Sequence, residues 1–189
     1  MNRIQKITFK TDYLCYKAGW SFEPRPGINL IVGDQGCGKS TLLKLLATNN
    51  TEKVDISLEN DKLINTYYLD TEKHNPRMVS HLDMTHVGTG MVLHSRFMSH
   101  GETILPIVAS CEQGKDSIFF FDEPESGLSI RSQYAVNRAI TAAEKNGCQL
   151  LIATHSWILM NCQSKVFSLE HNAWMRPNEF LETQKKNWE

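Results

Sequence analysis

The sequence predicts an α/β fold in which a mostly parallel sheet carries helices on both faces. Two observations lead there. Short apolar strands alternate with helical patterns through the last third of the chain, and a glycine-rich loop separates a buried-type strand from a helix. The 189 residues, 41% hydrophobic and 22% charged, suffice for one soluble domain over 1–189 whose core needs no disulfides.

The elements follow in order. Ile4, Ile7 and Phe9 sit in short β-like runs, and Trp20 and Phe22 alternate with Ser21 and Glu23. Pro24, Pro26 and Gly27 punctuate the chain before the strand Ile28–Val32. After the glycine-rich loop, Thr41–Ala47 has helical periodicity, ended by Thr48–Thr51. A polar stretch leads to a strand at Thr66–Leu69, and residues 70–98 are weakly patterned. Glu102–Cys111 reads as a helix that Pro106 should kink unless it lies in the first turn. Then come strand Ser117–Phe121, helix Arg131–Asn146 ending at Gly147, strand Gln149–Thr154, short helix Ser156–Asn161 and a final strand Lys165–Leu169. Arg176, Lys185 and Lys186 read as a solvated tail.

Composition weighs against several function classes. A formal net charge of −1 gives no basic field for nucleic acid, which stays a possible partner unsupported by charge. The longest apolar runs, Ile28–Val32 and Ile118–Phe121, are too short to span a bilayer, so no membrane insertion is expected. Met1–Lys6 lacks the apolar region of a secretory signal. The cysteines (Cys15, Cys37, Cys111, Cys148, Cys162) are odd in number and show no C-x-x-C spacing, which points to a reducing, cytoplasmic setting.

The strongest motif is Gly33-Asp34-Gln35-Gly36-Cys37-Gly38-Lys39-Ser40, with Thr41 behind it, which fits G-x-x-x-x-G-K-[ST]. Its glycines let backbone N–H groups turn inward around a phosphate at the positive end of the following helix. Lys39 is expected on the β/γ oxygens and the Ser40 hydroxyl on Mg²⁺. Cys37 stands at a variable position, a small filler or a reactive thiol beside Lys39.

Ile118–Phe121 followed by Asp122-Glu123-Pro124 puts two acids at a strand's carboxyl end. Such a pair alone is often a solvated turn. Beside a phosphate loop, Asp122 can hold Mg²⁺ and Glu123 can polarise an attacking water, with Glu125 the alternative base. In Thr154-His155-Ser156, a histidine past a strand is commonly structural; on a neighbouring strand of the same sheet, a neutral His155 reaches the γ-phosphate side. Ser99-His100-Gly101-Glu102 is by itself an ordinary helix cap whose N–H groups at Gly101 and Glu102 form an anion site.

The order phosphate loop, S-x-G-E, apolar strand with D-E-P, then T-H-S resembles the ABC ATPase superfamily over nearly the whole chain. Asp70, Glu72, Asn75, Pro76 and Arg77, with Asp122–Glu125 and Ala153–Ser156, resemble more closely the small stand-alone predicted ATPases related to SMC- and RecF-type heads. The resemblance implies a P-loop NTPase fold with an N-terminal antiparallel β-subdomain and a small helical signature subdomain spanning residues 70–112. It implies ATP and Mg²⁺ as cofactors, hydrolysis to ADP and phosphate, and an ATP-dependent homodimer. In that dimer Ser99, Gly101 and Glu102 of one subunit cap the γ-phosphate held by the other. An effector protein is a further possible partner.

The chain departs from the transporter pattern at three places. Met98–Glu102 replaces L-S-G-G-Q, no glutamine follows Thr66–Leu69, so Glu72 or Asn75 is the candidate substitute, and Ser129 stands where aspartate is usual. Tyr13 and Tyr16 are candidates to stack on adenine, or core aromatics. Two other readings stay open: the ATPase subunit of a membrane transporter, and an ATP-clamped binding module with little turnover. Residues between Lys39 and Ser99 lack sustained heptads, so no coiled-coil arm is expected.

Overall fold

The computed structural model describes residues 3–60, 65–71 and 100–186. Three runs, Ile28–Val32 (β3), Ile118–Asp122 (β6) and Gln149–Ala153 (β7), are almost wholly buried, as strands covered on both faces must be. They form the centre of a six-stranded sheet ordered β5-β6-β7-β3-β8-β9, in which β5 is Thr66–Asp70, β8 Val166–Ser168 and β9 Ala173–Met175. All pairings in it are parallel except β8 with β9. Ile4–Phe9 (β1), Ser21–Phe22 (β2) and Val54–Leu58 (β4) make a separate antiparallel sheet ordered β2-β1-β4. The mostly parallel α/β architecture and its N-terminal antiparallel part are as expected from sequence.

Alternation along the strands builds two cores, one on each face of the main sheet. Ile31, Phe120, Leu151 and Ala153 meet Leu42, Leu43 and Leu46 of the helix Lys39–Ala47 (α1), together with Ile7 and Phe9 of the small sheet. On the other face Leu30, Val32, Phe121 and Ile152 meet Val136, Ala139, Ile140 and Ala143 of Ile130–Lys145 (α3). Burying each such leucine or isoleucine contributes about 1.5–3 kcal/mol. His100–Ala109 (α2) packs against α3 and runs through Pro106 beyond its first turn before tightening into a 3₁₀ turn at Ser110–Gln113. α3 starts on Ser129, whose hydroxyl oxygen accepts the Ser132 N–H, and stops at Gly147, φ 84°. There the Cys148 and Gly147 amides bond the Ala143 and Glu144 carbonyls, a left-handed helix stop.

Four features differ from expectation. α1 begins at Lys39 rather than Thr41, so Lys39 and Ser40 belong to its first turn. β4 occupies the polar stretch, because Val54-Asp55-Ile56-Ser57-Leu58 alternates with the period of a half-buried strand. β8 is not the last strand, since Asn172 (φ 47°) turns the chain back into β9. The supposed tail is a helix, Pro177–Lys186 (α5). Pro177 is pre-set for the first helical position, the Glu179 carboxylate accepts the Arg176 N–H (2.8 Å), and Phe180 buries into the core. Lys185 and Lys186 then complement the helix dipole.

Trp157–Asn161 is α4, capped by Ser156. Glu72, Asn75, Pro76, Arg77 and Ser99 lie outside the described residues, as does most of the expected signature subdomain. Among the described residues no helix is long and apolar enough to cross a membrane.

Candidate nucleotide-binding site

The carboxyl ends of β5, β6, β7 and β3 open on one edge of the sheet, where ligands collect in parallel α/β folds. The phosphate loop leaves β3 and turns into α1 through Gly38, whose φ of 108° is open to glycine. A side chain there would collide with the Cys15 thiol and approach the Tyr16 ring to 3.0 Å. Tyr16 supports the loop from beneath. Its hydroxyl donates to the Gly38 carbonyl (2.9 Å), and its ring stacks on Phe9 at 4.3 Å between centroids. With Trp20 against it as well, Tyr16 has no free face for a base, which removes it as an adenine platform. Tyr13 is half-buried, with the Lys53 ammonium 5.8 Å from its ring centroid.

The loop encloses a cavity of about 260 Å³. Gln35, Gly36, Gly38 and Thr41 form its loop side, and Lys39, Ser40, Asp122, Glu123 and His155 converge on it. Lys39 is buried, and its ammonium donates to the carbonyls of Gly33 (2.8 Å) and Asp34 (2.9 Å). The ammonium also donates to the Cys37 sulfur, at 3.8 Å. Burial raises the Cys37 thiol's pKa against the lowering pull of Lys39, which favours the small-filler reading.

The two expected metal ligands meet directly: the Ser40 hydroxyl donates to Asp122 Oδ1 at 2.9 Å. Burial raises the Asp122 pKa, Ser40 lowers it, and nearby Asp70 raises it again. Asp70 is paired in register with Asp122 across β5 and β6 and lies 3.5 Å from the Lys44 ammonium. A hard cation at the Ser40–Asp122 edge would offset this desolvation, and hydroxyl plus carboxylate is a donor set that Mg²⁺ accepts, the rest coming from water and phosphate.

Glu123 has φ 51°, a left-handed conformation that costs a non-glycine residue about 1–3 kcal/mol. Its backbone is tied on several sides. The Glu123 N–H donates to Ala153 (3.0 Å), and its carbonyl accepts from the Ser126 N–H (3.0 Å) and the Thr71 hydroxyl (3.0 Å). The carboxylate stays partly exposed, 3.6 Å from His155 Nε2. Burial lowers the His155 pKa and Lys39 adds to the effect, with Glu123 and Asp34 opposing, so the imidazole is favoured neutral.

Glu125 points elsewhere. It is buried, and one oxygen accepts from the Thr154 hydroxyl (2.7 Å) and the amides of His155 (2.7 Å) and Ser156 (3.1 Å). Its other oxygen is buried without a partner, and burial raises its pKa. This carboxyl is the anchor of the Thr154–Ser156 turn and does not line the cavity, contrary to its candidacy as a base. Glu125→Ala strands the buried Thr154 hydroxyl and the part-buried His155 N–H at about 1–3 kcal/mol each, while the Ser156 N–H keeps the Thr154 hydroxyl oxygen at 3.0 Å. Urea unfolding should therefore show a loss of several kcal/mol; a variant as stable as the parent would refute this anchoring.

Sequence reasoning missed other parts of the site. Thr71 and Lys44 line the cavity, and the Tyr68 hydroxyl lies 3.4 Å from Asp122 Oδ2. Glu170 holds the loop's outer side, accepting the Asp34 N–H (2.7 Å) and a Gln184 side-chain N–H (2.8 Å) that links α5 to the loop. Gly33 and Asp34 accordingly face α5 rather than the cavity. Gly101 and Glu102 fall in the first turn of α2.

A family model described as "AAA domain, putative AbiEii toxin, Type IV TA system" matches residues 49–161. The chain belongs to this family of P-loop ATPases. The phosphate loop of this AAA-domain chain precedes the matched segment and rests on its own motif and on the fold. Among solved structures, a putative metal-chelate type ABC transporter in an inward-facing conformation superposes with TM-score 0.60 at 18% identity, over 94% of this chain and 84% of that one. CbiO1 from Clostridium perfringens, part of the ABC transporter complex cbiONQ, gives 0.55 at 12% identity, over 96% and 92%. These likenesses establish the ABC-type fold. No curated protein matches.

Proposed function

We propose that this chain binds ATP with Mg²⁺ and hydrolyses it to ADP and phosphate in a homodimer that sandwiches the nucleotide. The observation that carries the reading is the Ser40–Asp122 contact of 2.9 Å beside Lys39, with Glu123 and His155 on the same cavity. Lys39 leaves its two loop carbonyls for the β/γ oxygens of ATP, and the loop amides take the β-phosphate. Ser40 and Asp122 would hold Mg²⁺, which would neutralise charge developing on the phosphates. Glu123 accepts a proton from the water whose oxygen bonds to the γ-phosphorus as the bridging β–γ P–O bond breaks. Neutral His155 donates to a γ-oxygen.

Ser99, Gly101 and Glu102 cap a second copy's γ-phosphate, as the resemblance to ABC ATPases implies, so that loss of phosphate loosens the pair. All five cysteines are free, Cys15 and Cys162 exposed, which suits a cytoplasmic setting.

Complementation tests the shared site. Lys39→Ala removes the phosphate ligand and Ser99→Arg blocks the cap, so each protein alone should be nearly inactive. Mixed in equal amounts, they form some heterodimers with one intact composite site, and activity should partly return. Mixing that restores nothing, although heterodimers form, would place each site within one subunit.

A further inference from the structure

The position that follows β5 has no glutamine, yet the structure puts a residue there with direct purchase on the hydrolytic turn. Thr71 is 1% exposed, and its hydroxyl oxygen lies 3.0 Å from the Glu123 carbonyl and 3.2 Å from the Asp122 carbonyl. Its single hydroxyl proton is shared between the two. The Thr71 N–H also points to the Asp122 carbonyl, at a longer 3.4 Å. These carbonyls flank the residue whose φ is 51°. The remaining ties on Glu123, to Ala153 and Ser126, come from β7 and from the turn itself. Among the described residues Thr71 supplies the one side-chain tie to the Glu123 backbone, from the residue at which the chain passes into 72–99.

We propose that Thr71 is a positioning residue for hydrolysis: it clamps the Asp122–Glu123 turn so that the Glu123 carboxylate faces the attacking water. The inference rests on Glu123 as the base. A small displacement of a catalytic group can cost about 10²-fold in rate, so a tie on this turn belongs to the rate and not to substrate affinity.

Thr71→Val keeps the shape and loses the hydroxyl proton, Thr71→Ser keeps the proton, and Thr71→Ala serves if valine distorts the fold. The expected result is a fall in kcat of roughly 10–100-fold in the valine or alanine variant. KM for ATP should stay within about twofold, with kcat largely restored in the serine variant. Hydrogen exchange of the nucleotide-free protein gives a readout independent of turnover: the Glu123 and Ser126 amides should exchange faster in Thr71→Val but not in Thr71→Ser. Wild-type kcat in both the valine and alanine variants, or amide exchange unchanged in them, overturns the clamp. If Glu123→Gln hydrolyses ATP as fast as the parent, the base assignment fails instead, and the exchange result still decides whether Thr71 holds the turn.

Discussion

Glu123→Gln should bind ATP like the parent and hydrolyse it roughly 10²–10⁴-fold more slowly, the usual contribution of a positioned general base. The amide retains the size of the side chain and loses the proton acceptor. The backbone ties to Ala153, Ser126 and Thr71 use main-chain atoms of Glu123, so the substitution leaves them in place. Blocked turnover with intact binding should accumulate an ATP-bound dimer on size exclusion. Glu125 offers no rescue, because it is buried outside the cavity, with one oxygen committed to Thr154, His155 and Ser156. Near-parental turnover in this variant would move the base to another residue.

Lys39→Ala should lower ATP affinity by two orders of magnitude or more, read by calorimetric titration. Charge-assisted hydrogen bonds contribute about 1.5–3 kcal/mol each, and Lys39 is the one cation within the phosphate loop sequence. Its ammonium is already gathered over the loop by the Gly33 and Asp34 carbonyls, so little side-chain entropy remains to be lost on binding. Unchanged affinity would remove the loop from nucleotide binding altogether.

The parts of this site that sequence made legible are those set by local order. A glycine-rich turn between strand and helix, two acids ending an apolar strand, and a histidine just past another strand declare themselves without knowledge of neighbours. What escaped depends on which strands lie side by side. Thr71 matters because β5 borders β6, and Glu125 because β6 borders β7; neither adjacency is written in the residues themselves. Glu170 and Gln184 acquire a role when α5 folds back toward the loop, and only Phe180 and Leu181 marked that helix as more than a polar tail. β4 was hidden by Asp55 and Ser57, which face outward from a strand half-buried on the other side. Ser129, a departure from the usual aspartate, has a local explanation as the N-cap of α3.

Phosphate release from Mg²⁺·ATP, followed across a wide range of wild-type concentration, tests the central claim most directly. A shared site predicts that the rate per molecule climbs with concentration and then levels off as dimers saturate, with Glu123→Gln at background throughout. Release that never exceeds the Glu123→Gln background would contradict hydrolysis at this site, and a rate per molecule that stays flat down to concentrations where light scattering shows monomers in ATP would contradict the two-copy mechanism.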